Sequence, residues 1–269
     1  MKSNKKQKTE KSMEVCYFLV KKISLYRKAI FLLFILFLPY MLYSQSDNYL
    51  EYSLDLYDTG RERSIPLVIY SPKEKSQGVV IMNHGYDFNR GGANKDYSKI
   101  CNFIASQGFS VISIQHELTT DNLLSMEGNL YETRLPNWQK GVDNILFTIN
   151  ELKDIKTNLG WDNMILIGHS NGGDMAMLFA TQYPQIIKKA ITLDHRRMPI
   201  PLTDSPKLYS LRGCDYEADE GVIPSEDNRK KYNIKIIKLN NIKHGDMDDK
   251  GTDSQIGIIN NYLLDFLNE

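Results

Sequence analysis

Hydrophobic and polar positions along the chain change period several times, and each change marks an element. Tyr49–Tyr57 alternates and reads as a strand, joined by the turn Asp58–Thr59–Gly60 to a second strand over Ile65–Tyr70. Gly78–Met82 and Phe109–Ile114 are continuous apolar runs, the pattern of strands buried on both faces. A helix is predicted between them over Asp96–Gln107, stopped by Gly108. Gln115–Pro136 is polar and without period, so it reads as a long loop. Asn137–Leu159 reads as a long amphipathic helix with Asn137 as its cap. Short apolar runs follow at Met164, Lys189–Leu193, Lys207–Leu211 and Ile234–Leu239. Helical patterns after Ser170, over Ser225–Lys231 and over Thr252–Leu267 complete the chain. Two antiparallel-type strands followed by alternating strand and helix imply an α/β fold with a mostly parallel, doubly wound sheet of about eight strands flanked by helices.

The apolar run at Met164 ends in Gly168–His169–Ser170–Asn171–Gly172–Gly173, and a helical pattern begins at once. A serine on a tight strand-to-helix bend is held in a strained conformation with its hydroxyl exposed. Backbone crowds two residues to either side of it, where glycine fits. The helix N-terminus adds a positive dipole end and the N–H of Asn171 for developing negative charge. Ser170 is therefore the expected nucleophile.

A serine needs a base and the base needs an orienting carboxylate. Of the five histidines, His84, His116 and His195 close strands and His169 lies inside the bend. His244, in a polar loop after the last strand, is the expected base. The carboxylate is expected after the preceding strand, where Asp215 and Asp219 are candidates, and the spacing from Pro206 through the strand favours Asp215. The turn His84–Gly85–Tyr86 would supply a second oxyanion donor, the N–H of Tyr86, because Gly85 permits close approach.

Together these residues resemble the α/β-hydrolase superfamily from about Tyr49 to the C-terminus. Gly168–His169–Ser170–Asn171–Gly172–Gly173 is similar to its nucleophile elbow, His84–Gly85–Tyr86 to its oxyanion turn and His244 to its terminal histidine. Asp219–Glu220–Gly221–Val222–Ile223–Pro224 matches the usual acid motif, which keeps Asp219 open beside Asp215. The compact branch of dienelactone hydrolases, acetylhydrolases and polyester hydrolases is the nearest likeness. Only Asp194–Pro206 joins two strands where relatives often insert a cap domain, so no cap is expected. The resemblance implies a serine esterase with a Ser-His-Asp triad, an acyl-enzyme and no cofactor, acting on small-molecule or polymeric esters. The same residues leave open amide or peptide cleavage, and a non-catalytic binding protein of the cell envelope.

Charge and composition narrow the partners. The chain is neutral overall, with 33 basic and 33 acidic residues, but residues 1–45 hold nine Lys/Arg against two Asp/Glu. Residues 46–269 are left with 24 basic and 31 acidic, an acidic body that argues against nucleic acid. Residues 2–28 are Lys-rich, Ala29–Tyr43 is continuously apolar, and Ser44 restores small polar residues. Residues 1–45 thus read as a secretory signal, with export after cleavage, or as an uncleaved N-terminal anchor that associates with the membrane. Residues 46–269 are the expected catalytic domain. Three scattered cysteines make neither a disulfide framework nor a zinc site. Asp246, Asp248, Asp249 and Gly251 do not have EF-hand spacing, so no metal is expected, and the loop reads as solvated. Trp138, Tyr131 and Tyr86 are aromatic candidates for an acyl pocket or for plain core.

Overall fold

A computed structural model describes residues 49–269 of the chain. The Lys-rich and apolar leader lies outside the described residues, among which no helix is long and apolar enough to cross a membrane.

Eight strands form one sheet: β1 (Tyr49–Asp58), β2 (Arg63–Pro72), β3 (Val79–Asn83), β4 (Ser110–Ile114), β5 (Met164–His169), β6 (Lys189–Leu193), β7 (Lys207–Arg212) and β8 (Lys235–Lys238). Their spatial order is β1-β2-β4-β3-β5-β6-β7-β8. The pairings of β2 with β1 and with β4 are antiparallel, and the others are parallel. Among the described residues five α-helices accompany them: α1 (Ser98–Ser106), α2 (Leu130–Ile155), α3 (Asn171–Gln182), α4 (Glu226–Lys231) and, after the last strand, α5 (Asp253–Asn268). This is the α/β-hydrolase fold that the motifs resemble. Asp194–Pro206 connects β6 to β7 without a cap.

The continuous apolar strands are buried because both sheet faces are covered. Along β3, Val79 and Ile81 pack into one core with Trp138, Val142, Ile145 and Ile149 of α2. Val80 and Met82 point the other way, into a second core with Ile100 and Ile104 of α1 and Ile259, Leu263 and Phe266 of α5. Burying one such side chain stabilises the fold by roughly 1.5–3 kcal/mol. Helix α1 stops where expected, with Gly108 at φ 89°.

Helix α2 starts seven residues before the expected cap. Asn129 caps it, accepting from the N–H of Tyr131 at 3.2 Å, and Pro136 lies inside it. Proline removes an N–H and argues against a helix interior, which is why the pattern reads as starting at Asn137. Packing overrides that local preference, because Trp138 is fully buried and Arg134 is nearly so. The aperiodic segment after β4 is correspondingly shorter.

The order of strands reverses between β3 and β5, where β4 leaves on one side and β6 on the other. The carboxyl ends at such a point face a crevice. Asn83 pairs with Gly168, and His169 pairs with Leu193, so the residues after β3, β5 and β6 emerge at one level. The bend after β5 is pressed against the end of β3: a Cβ on Gly172 would lie 2.3 Å from the Asn83 carbonyl oxygen and 2.4 Å from that of His84. A Gly172→Ala substitution should therefore destabilise the protein by about 2–4 kcal/mol, measured by denaturant unfolding. Stability within 0.5 kcal/mol of wild type (about the scatter of surface substitutions) would contradict this packing.

Candidate active site

Ser170 sits on the bend with φ 52° and ψ −119°, a left-handed conformation that is costly for a residue with a Cβ. Its N–H donates to Leu193 O at 2.9 Å, and its carbonyl accepts from the N–H of Asp174 at 3.0 Å. These bonds tie the bend to β6 on one side and to the first turn of α3 on the other. Gly168 is required: a Cβ there would lie 2.2 Å from the Gly172 carbonyl oxygen.

His244 follows β8 in a one-turn 3-10 helix, His244–Asp246. Its Nδ1–H donates to Asp194 Oδ2 at 2.7 Å, so in the neutral ring Nε2 is the nitrogen free to accept a proton. Asp194 comes immediately after β6, is fully buried, and has φ 51°. Its other oxygen accepts from the N–H of Gly213 at 3.0 Å and lies 3.1 Å from Arg212 Nη2, and Arg196 Nε is 3.8 Å from Oδ2. Burial alone would raise this carboxyl. The His244 bond, the Arg212 charge and the Gly213 N–H outweigh it and hold the pKa at about 2, so the group is ionised at neutral pH.

The expected acids therefore have other places. Asp215 does not meet the His244 ring; it accepts from the backbone N–H of His244 at 2.8 Å. Asp219 is exposed and lies 3.9 Å from Arg197 Nε. Its motif is structural here: Val222 is buried and its carbonyl accepts from Ile200 N at 3.1 Å. The carboxylate on the ring comes from β6 and not from β7. Asp194 leaves its strand one position after the register partner of His169, so it stands beside the serine bend. The available signal was an aspartate directly ending a buried run, at the same level as the elbow.

His169, set aside in the sequence as a residue inside the bend, links the parts. The Gly85 N–H donates to Tyr97 Oη at 3.0 Å, Tyr97 O–H donates to His169 Nδ1 at 2.6 Å, and His169 Nε2–H donates to His244 O at 3.0 Å. The rings of His169 and His244 lie 4.6 Å apart between centroids, which brings His244 to the neighbour of Ser170. Burial, and then the nearby His244, push the His169 pKa down to about 3, so it stays neutral in this relay.

The His244 loop is also held from below. Asp249 accepts from the N–H groups of Ser98 and Lys99 at 2.8 and 3.0 Å, and from Ser98 Oγ at 2.6 Å, and so caps α1. Asp246 accepts from Lys243 N at 2.9 Å and Gln255 Nε2 at 2.8 Å. The acidic loop expected to be solvated is thus a clamp.

Gly85 lies against the bend, where a Cβ would come 3.4 Å from Ser170 Cβ. The N–H groups of Tyr86 and Asn171 donate to no acceptor among the described residues. Trp138 is fully buried and donates Nε1–H to Asn171 Oδ1 at 2.8 Å. Tyr131 packs edge-on against it, and the Tyr86 hydroxyl accepts from Leu124 N at 3.0 Å.

The chlorophyllase family model matches residues 48–194, more than half of the chain. The chain belongs to the chlorophyllase family. The family match ends on Asp194 and contains Ser170. The chain is 24% identical over 147 residues to a (lyso)-N-acylphosphatidylethanolamine lipase of Mus musculus, a stretch that covers 55% of this chain and 39% of that enzyme. Among solved structures, it resembles a fungal esterase from Rhizomucor miehei with TM-score 0.60 and 14% identity, covering 84% of each chain. It also resembles a dienelactone hydrolase from Anabaena variabilis with TM-score 0.54 and 13% identity, covering 80% of this chain and 95% of that one. With the family match, this shared fold places the chain in the α/β-hydrolase superfamily.

The loop that carries Arg196 is pinned by one buried acid. Asp174 Oδ1 accepts from the N–H groups of Arg197 and Met198, each at 2.9 Å. Burial pushes its pKa from 3.8 up to about 6, against those N–H bonds. The folded protein then binds more protons than the unfolded chain between these values, so stability falls as pH rises from about 4 to 6 and levels off above. Asp174→Asn keeps the accepting oxygen and cannot ionise. Its stability relative to wild type should rise by about 2–3 kcal/mol between pH 4 and 7. A difference independent of pH in urea unfolding would rule this out.

Proposed function

We propose that this chain is a serine hydrolase cleaving carboxylic esters through Ser170, His244 and Asp194. The 2.7 Å bond from His244 Nδ1 to the ionised Asp194 carries the reading, because it leaves Nε2 as the base beside the elbow. His244 takes the Ser170 hydroxyl proton as Oγ attacks the ester carbonyl. The N–H groups of Tyr86 and Asn171 receive the oxyanion. As the tetrahedral intermediate collapses, the carbonyl re-forms, the bond to the alcohol breaks, and His244 gives that alcohol its proton. Water, deprotonated by His244, then attacks the acyl-enzyme and releases the acid and Ser170. Asp194 stabilises the imidazolium in each half-reaction.

The surroundings favour apolar esters. Asn89 Nδ2 donates to Asp121 O and Asn122 O, which ties the oxyanion turn to the loop beyond β4. On those two segments Phe88, Leu123 and Met126 are 61%, 69% and 54% exposed, a rim beside Tyr86 on which an acyl chain can lie. The leader of residues 1–45 fits export. Its cleavage is tested by the intact mass of the protein recovered from the cell envelope, where a retained leader would mean an anchor instead.

Turnover of p-nitrophenyl esters from C2 to C12 tests the reading. Ser170→Ala should abolish hydrolysis, and Asp194→Asn should lower kcat by about 10³–10⁴, while Asp215→Asn should lower it by less than about tenfold. Wild-type rates in S170A would overturn the hydrolase. A larger loss in D215N than in D194N would return the acid to Asp215.

A further inference from the structure

Glu117 is a buried carboxylate that this mechanism does not use. It lies just beyond β4 and is 2% exposed. Its backbone is fixed: Gln115 Nε2 donates to Glu117 O at 2.8 Å, and Arg63, which donates to His116 O, is paired to Asp121 at 2.7 Å. Glu117 Oε1 accepts from Asn171 Nδ2 at 2.9 Å and from Asn137 Nδ2 at 3.3 Å. Glu117 Oε2 is buried without a hydrogen bond, 3.7 Å from His84 Nε2.

Two of the residues that it faces, Asn171 and His84, govern the proposed oxyanion donors. Asn171 carries one donor on its own backbone, and its side chain is held at every polar position. Oδ1 accepts from Trp138, and Nδ2 donates to Glu117 and, at 2.8 Å, to Asn137 Oδ1. His84 governs the other donor. Its Nε2 accepts from His116 N–H at 2.9 Å, so the ring proton is on Nδ1, which donates to Gly85 O at 2.7 Å. In a trans peptide the carbonyl and the following N–H point in opposite directions. Gripping the Gly85 carbonyl therefore turns the Tyr86 N–H away from His84.

We propose that Glu117 is a positioning residue for the oxyanion site, holding the Asn171 side of the pair against the His84 side. The proposal rests on the hydrolase reading above. Oε1 does the holding, through Asn171. An unbonded buried oxygen is costly, and at Oε2 that cost is retained on the side of His84, where the two donor-bearing segments meet. The donors act on the charge that develops in the transition state. Loosening them should therefore lower kcat and leave KM unchanged.

The test measures kcat and KM on a p-nitrophenyl ester, with active sites counted by fluorophosphonate labelling so that misfolded protein is left out. Glu117→Ala should lower kcat per labelled site by about 10–100-fold with KM within about threefold. Glu117→Gln, which keeps the accepting oxygen, should restore kcat to within about threefold of wild type. If E117A does not fold, Glu117→Asp keeps the charge, withdraws the oxygen from Asn171 and should show the same kcat loss. Wild-type kcat per site in E117A, or in E117D where that variant is used, overturns the proposal, and so does a loss in E117Q as large as in E117A. A wild-type protein that neither labels nor turns over overturns the hydrolase reading itself, and this proposal with it.

Discussion

Close backbone contact at the end of β3 is the constraint on which the rest of the site depends. With no side chain at 168 or 172, the bend after β5 closes on itself and settles onto the carbonyls of Asn83 and His84. That contact fixes the start of α3, and with it the strained Ser170 and the N–H of Asn171. It also sets Gly85 against the serine. The proposed nucleophile and both proposed oxyanion donors are thus placed by backbone packing at the reversal of the strand order.

The histidine relay extends this rigid centre to a loop 75 residues downstream in the chain. His244 is held three ways: its ring by Asp194, its N–H by Asp215 and its carbonyl by His169. Each hold uses a different atom, so the ring is oriented without closing Nε2. The two carboxylates divide the work by environment. Asp194 is buried among Arg212, the Gly213 N–H and His244 and carries a stable charge, whereas Asp215 is exposed and secures backbone.

Behind the serine lies a polar layer inside an otherwise apolar core. Asn83, His84, His116, Glu117, Asn171 and the Trp138 N–H are all buried. Asn83 Nδ2 donates to Ile81 O and Ile167 O, so its oxygen accepts from His116 Nε2–H at 2.9 Å. The Asn83 and Asn171 side chains have only one arrangement that satisfies these partners, which gives the site rigidity where hydrophobic packing alone would allow sliding. Burial keeps the pKa of His116 well below the usual histidine range, so that ring stays neutral.

Local pattern determined most of the fold. Apolar runs set the strands of the parallel sheet, Gly108 ended its helix, and glycine spacing around Ser170 marked the bend, because period and φ requirement act within a few residues. Pro136 misled the start of α2 for the same reason: a local preference was outvoted by the burial of Trp138. The partner of His244 was not legible at that range. Asp194, Asp215 and Asp219 all follow strands at the same edge of the sheet, and the one local mark, that Asp194 directly ends a buried run, does not say which of them faces the ring. The roles of His169, Asp249 and Glu117 were hidden likewise, since each rests on a contact across the fold. The sequence by itself determined which residues could do chemistry and at which edge of the sheet they lie. Only the tertiary structure decided which of them meet, because strand order and register, not distance along the chain, set which carboxylate comes within hydrogen-bond reach.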